Sequence, residues 1–385
     1  MLLTQCAACA TELGLTSGKK CGRCSTRYCG PVCQKKHWEE GGHDQLCKTI
    51  KKAGGAEQYN ANTKYAEAVT VAAEACAEDT KGQTCYICME AVHPRTGEGL
   101  VRGCACGDRP GVASGTTGIA HVSCLVEQAK ILVAEAEENN LGNKAWNARW
   151  TRWYKCSLCE QSYHSVVRCA LGWGSWKTYL GRPEADEARC FAMSMLGNGL
   201  GMTQQHQDAL SVQEAELSIL RRLGLPLAYV IGVQGNLANT YLALGRTQDA
   251  LRLRRDVYSG YLRALGEEKE STLSAAINLA MSLKDLSRFD EAKALLRKVM
   301  PVARRKLGES DLMFSMRSTY AKSLYQDPAA TLGDLSEAVK TLGEIEPTAR
   351  RVLGGAHPIT TGIEQNLQDA RAALRAHQAP SPGGA

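Results

Sequence analysis

From position 6 to position 159 the chain sets cysteine and histidine in eight close pairs. In order they are Cys6 and Cys9, Cys21 and Cys24, Cys29 and Cys33, His43 and Cys47, then Cys85 and Cys88, Cys104 and Cys106, His121 and Cys124, Cys156 and Cys159. Two donors with one to three residues between them can reach one ion, and two such pairs complete a tetrahedron of soft ligands. Sixteen donors therefore predict four zinc ions, and paired spacing of this density is a strong signal. The same pattern constrains the fold, because each ion ties together segments too short to bury an adequate core unaided.

Fourteen of the seventeen cysteines belong to these pairs, leaving Cys76, Cys169 and Cys190 as expected buried thiols. Met1-Leu2-Leu3 runs at once into polar residues and Cys6, which predicts no signal peptide. No apolar run approaches spanning length. Cysteines at metal spacing without an export route favour a reducing compartment, cytoplasmic or nuclear. The formal charge of +6, from 46 basic and 40 acidic residues, invites a nucleic-acid reading. Fourteen thiolates holding four divalent ions would remove about six charges, leaving the loaded protein near neutral. Nucleic acid and membrane are accordingly not favoured as partners.

No Ser-His-Asp order, carboxylate dyad or phosphate-cradling loop emerges from the sequence; Gly97 to Gly118 is glycine-rich but lacks the Lys-Ser/Thr of a P-loop. Four protein donors per ion leave no open position for water, which argues against hydrolytic metal catalysis.

Residues 6–47 resemble a MYND zinc finger, down to Tyr28-Cys29 and the run from Cys33 through His37-Trp38 to His43. The resemblance implies interleaved ligation, with Cys6, Cys9, Cys29 and Cys33 on one ion and Cys21, Cys24, His43 and Cys47 on the other. It also implies an adaptor module that holds short partner peptides. The x3 spacings of Cys29 with Cys33 and of His43 with Cys47 predict ligation from short helices. His37 competes with His43, which has Cys47 as its x3 partner, and Trp38 is expected to pack over a zinc knuckle. Residues 48–84 read as a linker with Gly54-Gly55, then an amphipathic helix from Ala56 to Glu78 with Ala66, Val69, Ala73 and Ala77 on its apolar side.

The donor order of residues 85–160, with histidine fifth, resembles the RING-CH subclass of RING-like fingers, supported by Tyr86-Ile87 in the first knuckle and His121-Val122-Ser123-Cys124-Leu125 around the histidine. A PHD finger has the same donor string and stays the alternative. The resemblance implies a cross-brace: Cys85, Cys88, His121 and Cys124 on one ion, Cys104, Cys106, Cys156 and Cys159 on the other. It also implies docking of a ubiquitin-conjugating enzyme on an apolar spot at Ile87. The chain departs from that pattern with Gln128 where a tryptophan is usual and with Glu160 after the last ligand, where a basic residue is expected; a carboxylate cannot donate a hydrogen bond there. The insert Leu125, Val126, Ala129, Leu132, Val133, Ala136 has helical period. Trp146, Trp150 and Trp153 would either cover that helix and the second ion or form a recognition surface.

Leu-Gly recurs at 223–224, 265–266, 307–308 and 353–354, and twelve residues past each glycine stand Asn236, Asn278, Tyr320 and Asn366. Repetition at this period predicts stacked helical pairs. Ala238, Ala250, Ala280 and Ala292 mark close helix crossings, Arg246 and Arg288 end the connecting turns, and Asp327-Pro328-Ala329-Ala330 is an inserted turn. These features, with Leu353-Gly354-Gly355-Ala356-His357-Pro358, resemble tetratricopeptide repeats of the kinesin-light-chain type. The resemblance places Asn236, Asn278 and Asn366 in a peptide groove; the alternative is that each bonds locally.

The sequence thus predicts a multidomain chain: two small zinc-stabilised α+β modules (6–47 and 85–160) and a bridging segment (161–183), then an all-α tetratricopeptide solenoid (184–375) and a disordered tail (376–385). Its amino half is expected to owe its shape to four metal centres in place of an oily interior. The expected function is a zinc-binding intracellular adaptor for proteins or peptides, with an E3 ubiquitin-protein ligase that lacks catalytic residues of its own as the alternative.

Overall fold

The computed structural model describes residues 5–11, 13, 17–106 and 118–378. The glycine-rich run ending at Gly118, the start of the chain and its tail fall wholly or partly outside these residues. Two compact units form, one from residues up to 103 and from 118 to 240, the other chiefly from Tyr241 onward. No helix among the described residues is long and apolar enough to cross a membrane.

The first unit opens with the antiparallel pair β1 (Lys19–Lys20) and β2 (Arg27–Tyr28), followed by α1 (Pro31–Glu39), α2 (His43–Lys52) and α3 (Ala56–Ala75). The small core of this opening segment consists of Cys6, Leu13, Cys21, Cys24, Tyr28, Cys47, Ile50 and Ala56. Half of these are paired cysteines, so apolar burial alone supplies little here.

The next segment is different. The pair β3 (Val101–Arg102) and β4 (Ile119–Ala120) leads into α4 (Val122–Glu138), α5 (Asn143–Trp150), a 3-10 turn (Thr151–Trp153) and α6 (Ser165–Tyr179). Val122, Leu125, Val126, Ala129 and Val133 of α4 are buried, as are Leu171, Trp173, Trp176 and Tyr179 of α6. Trp150 and Trp153 lie under Tyr179 at 5.4 and 5.7 Å between ring centroids, so these two tryptophans are core. An ordinary apolar interior therefore exists around residues 119–180. The expectation that metal replaces it throughout the amino half is corrected to the first module alone.

Helix α3 also turns otherwise than the alanine spacing suggests. It ends at Ala75, capped by Cys76, and buries Ala61, Tyr65, Val69 and Ala72, while Ala66 and Ala77 face solvent. Tyr65 decides this, because its large ring packs under Lys177 Nζ at 3.8 Å and its hydroxyl lies 3.2 Å from Ser123 Oγ.

The stretch 161–183 is more than a bridge. Its helix α6 packs closely on α7 (Glu187–Met202), where a Cβ on Gly172 would stand 2.9 Å from Met195 O and one on Gly199 2.8 Å from Cys169 Cα. Only glycine permits that approach. Helices α8 (His206–Arg222) and α9 (Leu227–Ala243) follow.

The second unit carries α10 (Thr247–Leu265), α11 (Glu270–Asp285), α12 (Phe289–Leu307), α13 (Asp311–Tyr325), α14 (Leu332–Leu353) and α15 (Pro358–Gln378). The Leu-Gly recurrence has a backbone cause. Gly224, Gly266, Gly308 and Gly354 take φ of +61°, +81°, +56° and +96°, positive values that glycine adopts without a Cβ penalty, each just past the end of a helix. Ala238, Ala250, Ala280 and Ala292 are wholly buried. Arg246 and Arg288 are N-caps paired with Asp249 and Glu291. In the turn at Asp327 the carboxylate accepts from Lys293 Nζ and from Ala329 N, both at 2.9 Å. The whole is a small N-terminal region with few strands and clustered cysteines, followed by a predominantly helical array of repeats.

Candidate metal centres

Four times the chain makes one local structure. After Cys6-x2-Cys9, Cys21-x2-Cys24, Cys85-x2-Cys88 and Cys156-x2-Cys159 the next residue is left-handed: Ala10 (φ 57°), Ser25 (62°), Met89 (66°) and Glu160 (59°). Each donates its N–H to the carbonyl of the first cysteine, at 2.9, 3.0, 2.8 and 3.0 Å. One residue further on, a carbonyl accepts the first cysteine's own N–H, from Thr11, Thr26, Glu90 and Gln161. The two bonds close a tight loop with both sulfurs on one side. A non-glycine residue in this conformation costs roughly 1 kcal/mol, a strain that suggests a local demand on the sulfur positions.

These knuckles meet the remaining donors in four groups: Cys6, Cys9, Cys29 and Cys33; Cys21, Cys24, His43 and Cys47; Cys85, Cys88, His121 and Cys124; Cys104, Cys106, Cys156 and Cys159. In each, all ligand atoms lie within 4.8 Å of one another. Zinc–sulfur bonds of ~2.3 Å imply tetrahedral edges of about 3.8 Å. Two Sγ separations match that geometry, 3.7 Å for Cys9 to Cys29 and 3.9 Å for Cys21 to Cys47, while Cys29 to Cys33 at 3.3 Å and Cys104 to Cys106 at 3.5 Å are closer. The two histidines present different nitrogens: His43 Nε2 is 3.5 Å from Cys24 Sγ, and His121 Nδ1 is 3.3 Å from Cys88 Sγ.

The x3 argument holds for one pair only. His43 and Cys47 both lie on α2, whereas Cys29 precedes α1, whose first residue is Pro31. His37 is not a donor in any group; its Nδ1 lies 3.0 Å from Tyr28 Oη and its ring stacks on His43 at 5.1 Å. Trp38 meets the His43 ring edge-on at 5.7 Å. Glu98, which no sequence signal singled out, accepts from Ser123 N at 2.7 Å and Ser123 Oγ at 2.9 Å, holding the start of α4 beside His121 and Cys124.

The electrostatics show why such groups call for a cation. The Thr11 hydroxyl draws the Cys9 thiol down to about 6. Neighbouring sulfurs, Cys29 first, push Cys33 up to about 12. Burial, then the Cys24 and Cys21 sulfurs, pushes Cys47 up to about 11. Three or four crowded thiols cannot all ionise by themselves; a divalent ion removes the conflict and deprotonates them together.

Of the expected contact residues, Ile87 is half-buried and lines a groove of about 910 Å³ with Gln128 and Ile131. Glu160 is salt-bridged to Arg152 at 2.6 Å. Asn236 and Asn278 are half-buried on α9 and α11. Asn366 is 8% exposed, donating to Ser318 Oγ at 2.9 Å and accepting from Tyr325 Oη at 3.4 Å, so its amide serves packing between α15 and α13. Tyr320 breaks the twelve-residue phase. The buried alanine of the first helix stands fourteen residues past the glycine at Ala238 and Ala280 but thirteen past it at Ala321, which turns Tyr320 toward Arg297 and Glu337 at 2.9 Å each.

Two family models match: the MYND finger over residues 6–47 and the tetratricopeptide repeat over residues 229–305. No curated protein matches the chain. Solved structures with some likeness include two chains of a candidate kinesin light chain from Podosopora anserina with nearly identical TPR-like repeats. One is 22% identical over 49% of this chain and 88% of its own, with a TM-score of 0.41. The other is 21% identical over 53% and 100%, with a TM-score of 0.40. BtubC (BKLC) from P. vanneervenii is 15% identical over 69% and 95%, with a TM-score of 0.36.

Proposed function

We propose that this chain is a zinc-binding adaptor that holds partner proteins through its MYND finger and its tetratricopeptide array. The observation that carries the reading is that each of the four donor groups is a complete set of four protein ligands. A closed set suits structural zinc and leaves no position for substrate or water. The sixteen donors are then Cys6, Cys9, Cys29 and Cys33; Cys21, Cys24, His43 and Cys47; Cys85, Cys88, His121 and Cys124; Cys104, Cys106, Cys156 and Cys159. Ile87, Asn236 and Asn278 are the proposed partner contacts. Native mass spectrometry of the intact protein tests the metal half: four bound zinc ions are expected, and fewer would refute it. Affinity capture tests the adaptor half by comparing the intact protein with His43→Ala and with Asn236→Ala/Asn278→Ala. Each variant should lose a different subset of retained proteins; identical retention by all three would refute the reading.

A second reading, a ligase acting through a docked ubiquitin-conjugating enzyme, draws on one observation, the groove beside Ile87. Glu160 and its pairing with Arg152 speak against it. Autoubiquitination that is present in the intact protein and lost in Ile87→Ala would favour it; its absence with a panel of conjugating enzymes would end it.

A further inference from the structure

Among the described residues, which include all seventeen cysteines, two cysteines are exposed, and both belong to the first donor group: Cys9 and Cys29. A third member, Cys33, is half-buried. Cys29 is close to both, its Sγ 3.3 Å from that of Cys33 and 3.7 Å from that of Cys9. The pair Cys104 and Cys106 is almost as close, at 3.5 Å, but its members are only 3% and 4% exposed. All four donors of the second group are buried, and each remaining group has a single half-buried cysteine. Close sulfurs are therefore common to several groups, whereas ready access for a dissolved reagent belongs to the first.

The chain around this trio is lightly held. Cys29 lies in a bend between β2 and α1, and none of the nine residues of α1 is buried. Cys33 ties α1 to the first group, and the rings of His37 and Trp38 rest on His43 at 5.1 and 5.7 Å. Helix α2, by contrast, buries His43, Cys47 and Ile50. Losing the first ion would free α1 while leaving α2 in place.

We propose that Cys29 is a thiol-oxidation site at which hydrogen peroxide expels one zinc ion of the four; this rests on zinc occupying the first group, as proposed above. The Cys29 sulfur attacks one peroxide oxygen, the O–O bond breaks, and the departing hydroxide takes a proton to become water, leaving a sulfenic acid. The Cys33 sulfur then attacks that of Cys29, forming the S–S bond and releasing a second water. Two sulfurs give up two electrons, peroxide accepts them, and solvent supplies two protons. Cys6 and Cys9 alone cannot close a tetrahedron, so the ion departs.

The test treats the zinc-loaded full-length protein with hydrogen peroxide. Zinc release is followed with a chromogenic chelator, cross-links by peptide mass spectrometry, and backbone opening by amide exchange. Expected are four ions before treatment, release of one, a Cys29–Cys33 disulfide, and faster exchange over residues 31–39 but not 43–52. A dithiol with added zinc should restore the starting state. Cys29→His, which keeps a ligand but cannot form the disulfide, should retain four ions and release zinc about tenfold more slowly or less. No release, loss of further ions at the same rate, a cross-link other than Cys29–Cys33, or equal release by Cys29→His would overturn the inference and leave the zinc reading standing. Fewer than four ions before treatment would overturn both. Release and cross-linking in the unsubstituted protein decide the matter even if Cys29→His fails to fold.

Discussion

Replacing Glu216 by Gln should stabilise the protein and remove part of its pH dependence. Glu216 lies on α8, 2% exposed, with Oε1 accepting from Ser194 and Oε2 without a partner. Burial raises its pKa from 4.5 to about 8. A carboxyl whose folded pKa is raised holds its proton in the native state while the unfolded chain gives its own up, so stability falls as pH rises from about 4.5 to about 8. At ~1.4 kcal/mol per decade of proton affinity, the loss between pH ~5.5 and pH ~8 is about 3 kcal/mol. Glutamine keeps the acceptor for Ser194, fits the same volume and does not titrate. Denaturant unfolding of both proteins at the two pH values isolates the effect, because every other titrating group is common to the pair. The variant should lose about 3 kcal/mol less than the parent over this interval. Parallel pH profiles would show that Glu216 is not held protonated by burial.

Other expectations follow from the same geometry. His43→Ala should release one ion and unfold residues 6–52, read by metal content and limited proteolysis, while α4 to α6 stay protected by their apolar core; loss of both segments together would contradict the corrected division between them. Met89→Val should cost about 1–2 kcal/mol and Met89→Gly little, because the position is left-handed and its side chain is 69% exposed. Equal effects of the two would show that the knuckle backbone tolerates any side chain. Gly199→Ala should cost roughly 1–3 kcal/mol in thermal or denaturant unfolding, since its Cβ would meet the backbone of Cys169; a neutral result would mean that α6 and α7 can separate freely.

Spacing alone made the local metal chemistry and the repeats legible. A donor pair with one to three residues between its members is a local fact, as is a glycine that ends a helix, and both survive whatever tertiary structure surrounds them. The left-handed residues after four of the pairs, by contrast, bear no sequence mark: Ala10, Ser25, Met89 and Glu160 have nothing in common but their place. The sequence likewise held no sign of which way α3 would face, since four alanines and valines suggest a stripe that one tyrosine overrules. Gly172 and Gly199, Glu98 under Ser123, and the sealed polar atoms of Arg168 and of the protonated Glu216 all depend on which helix arrives opposite. Residues remote in sequence meet only through packing, so periodicity could announce helices and repeats, while the burial of a particular charge was settled by tertiary structure.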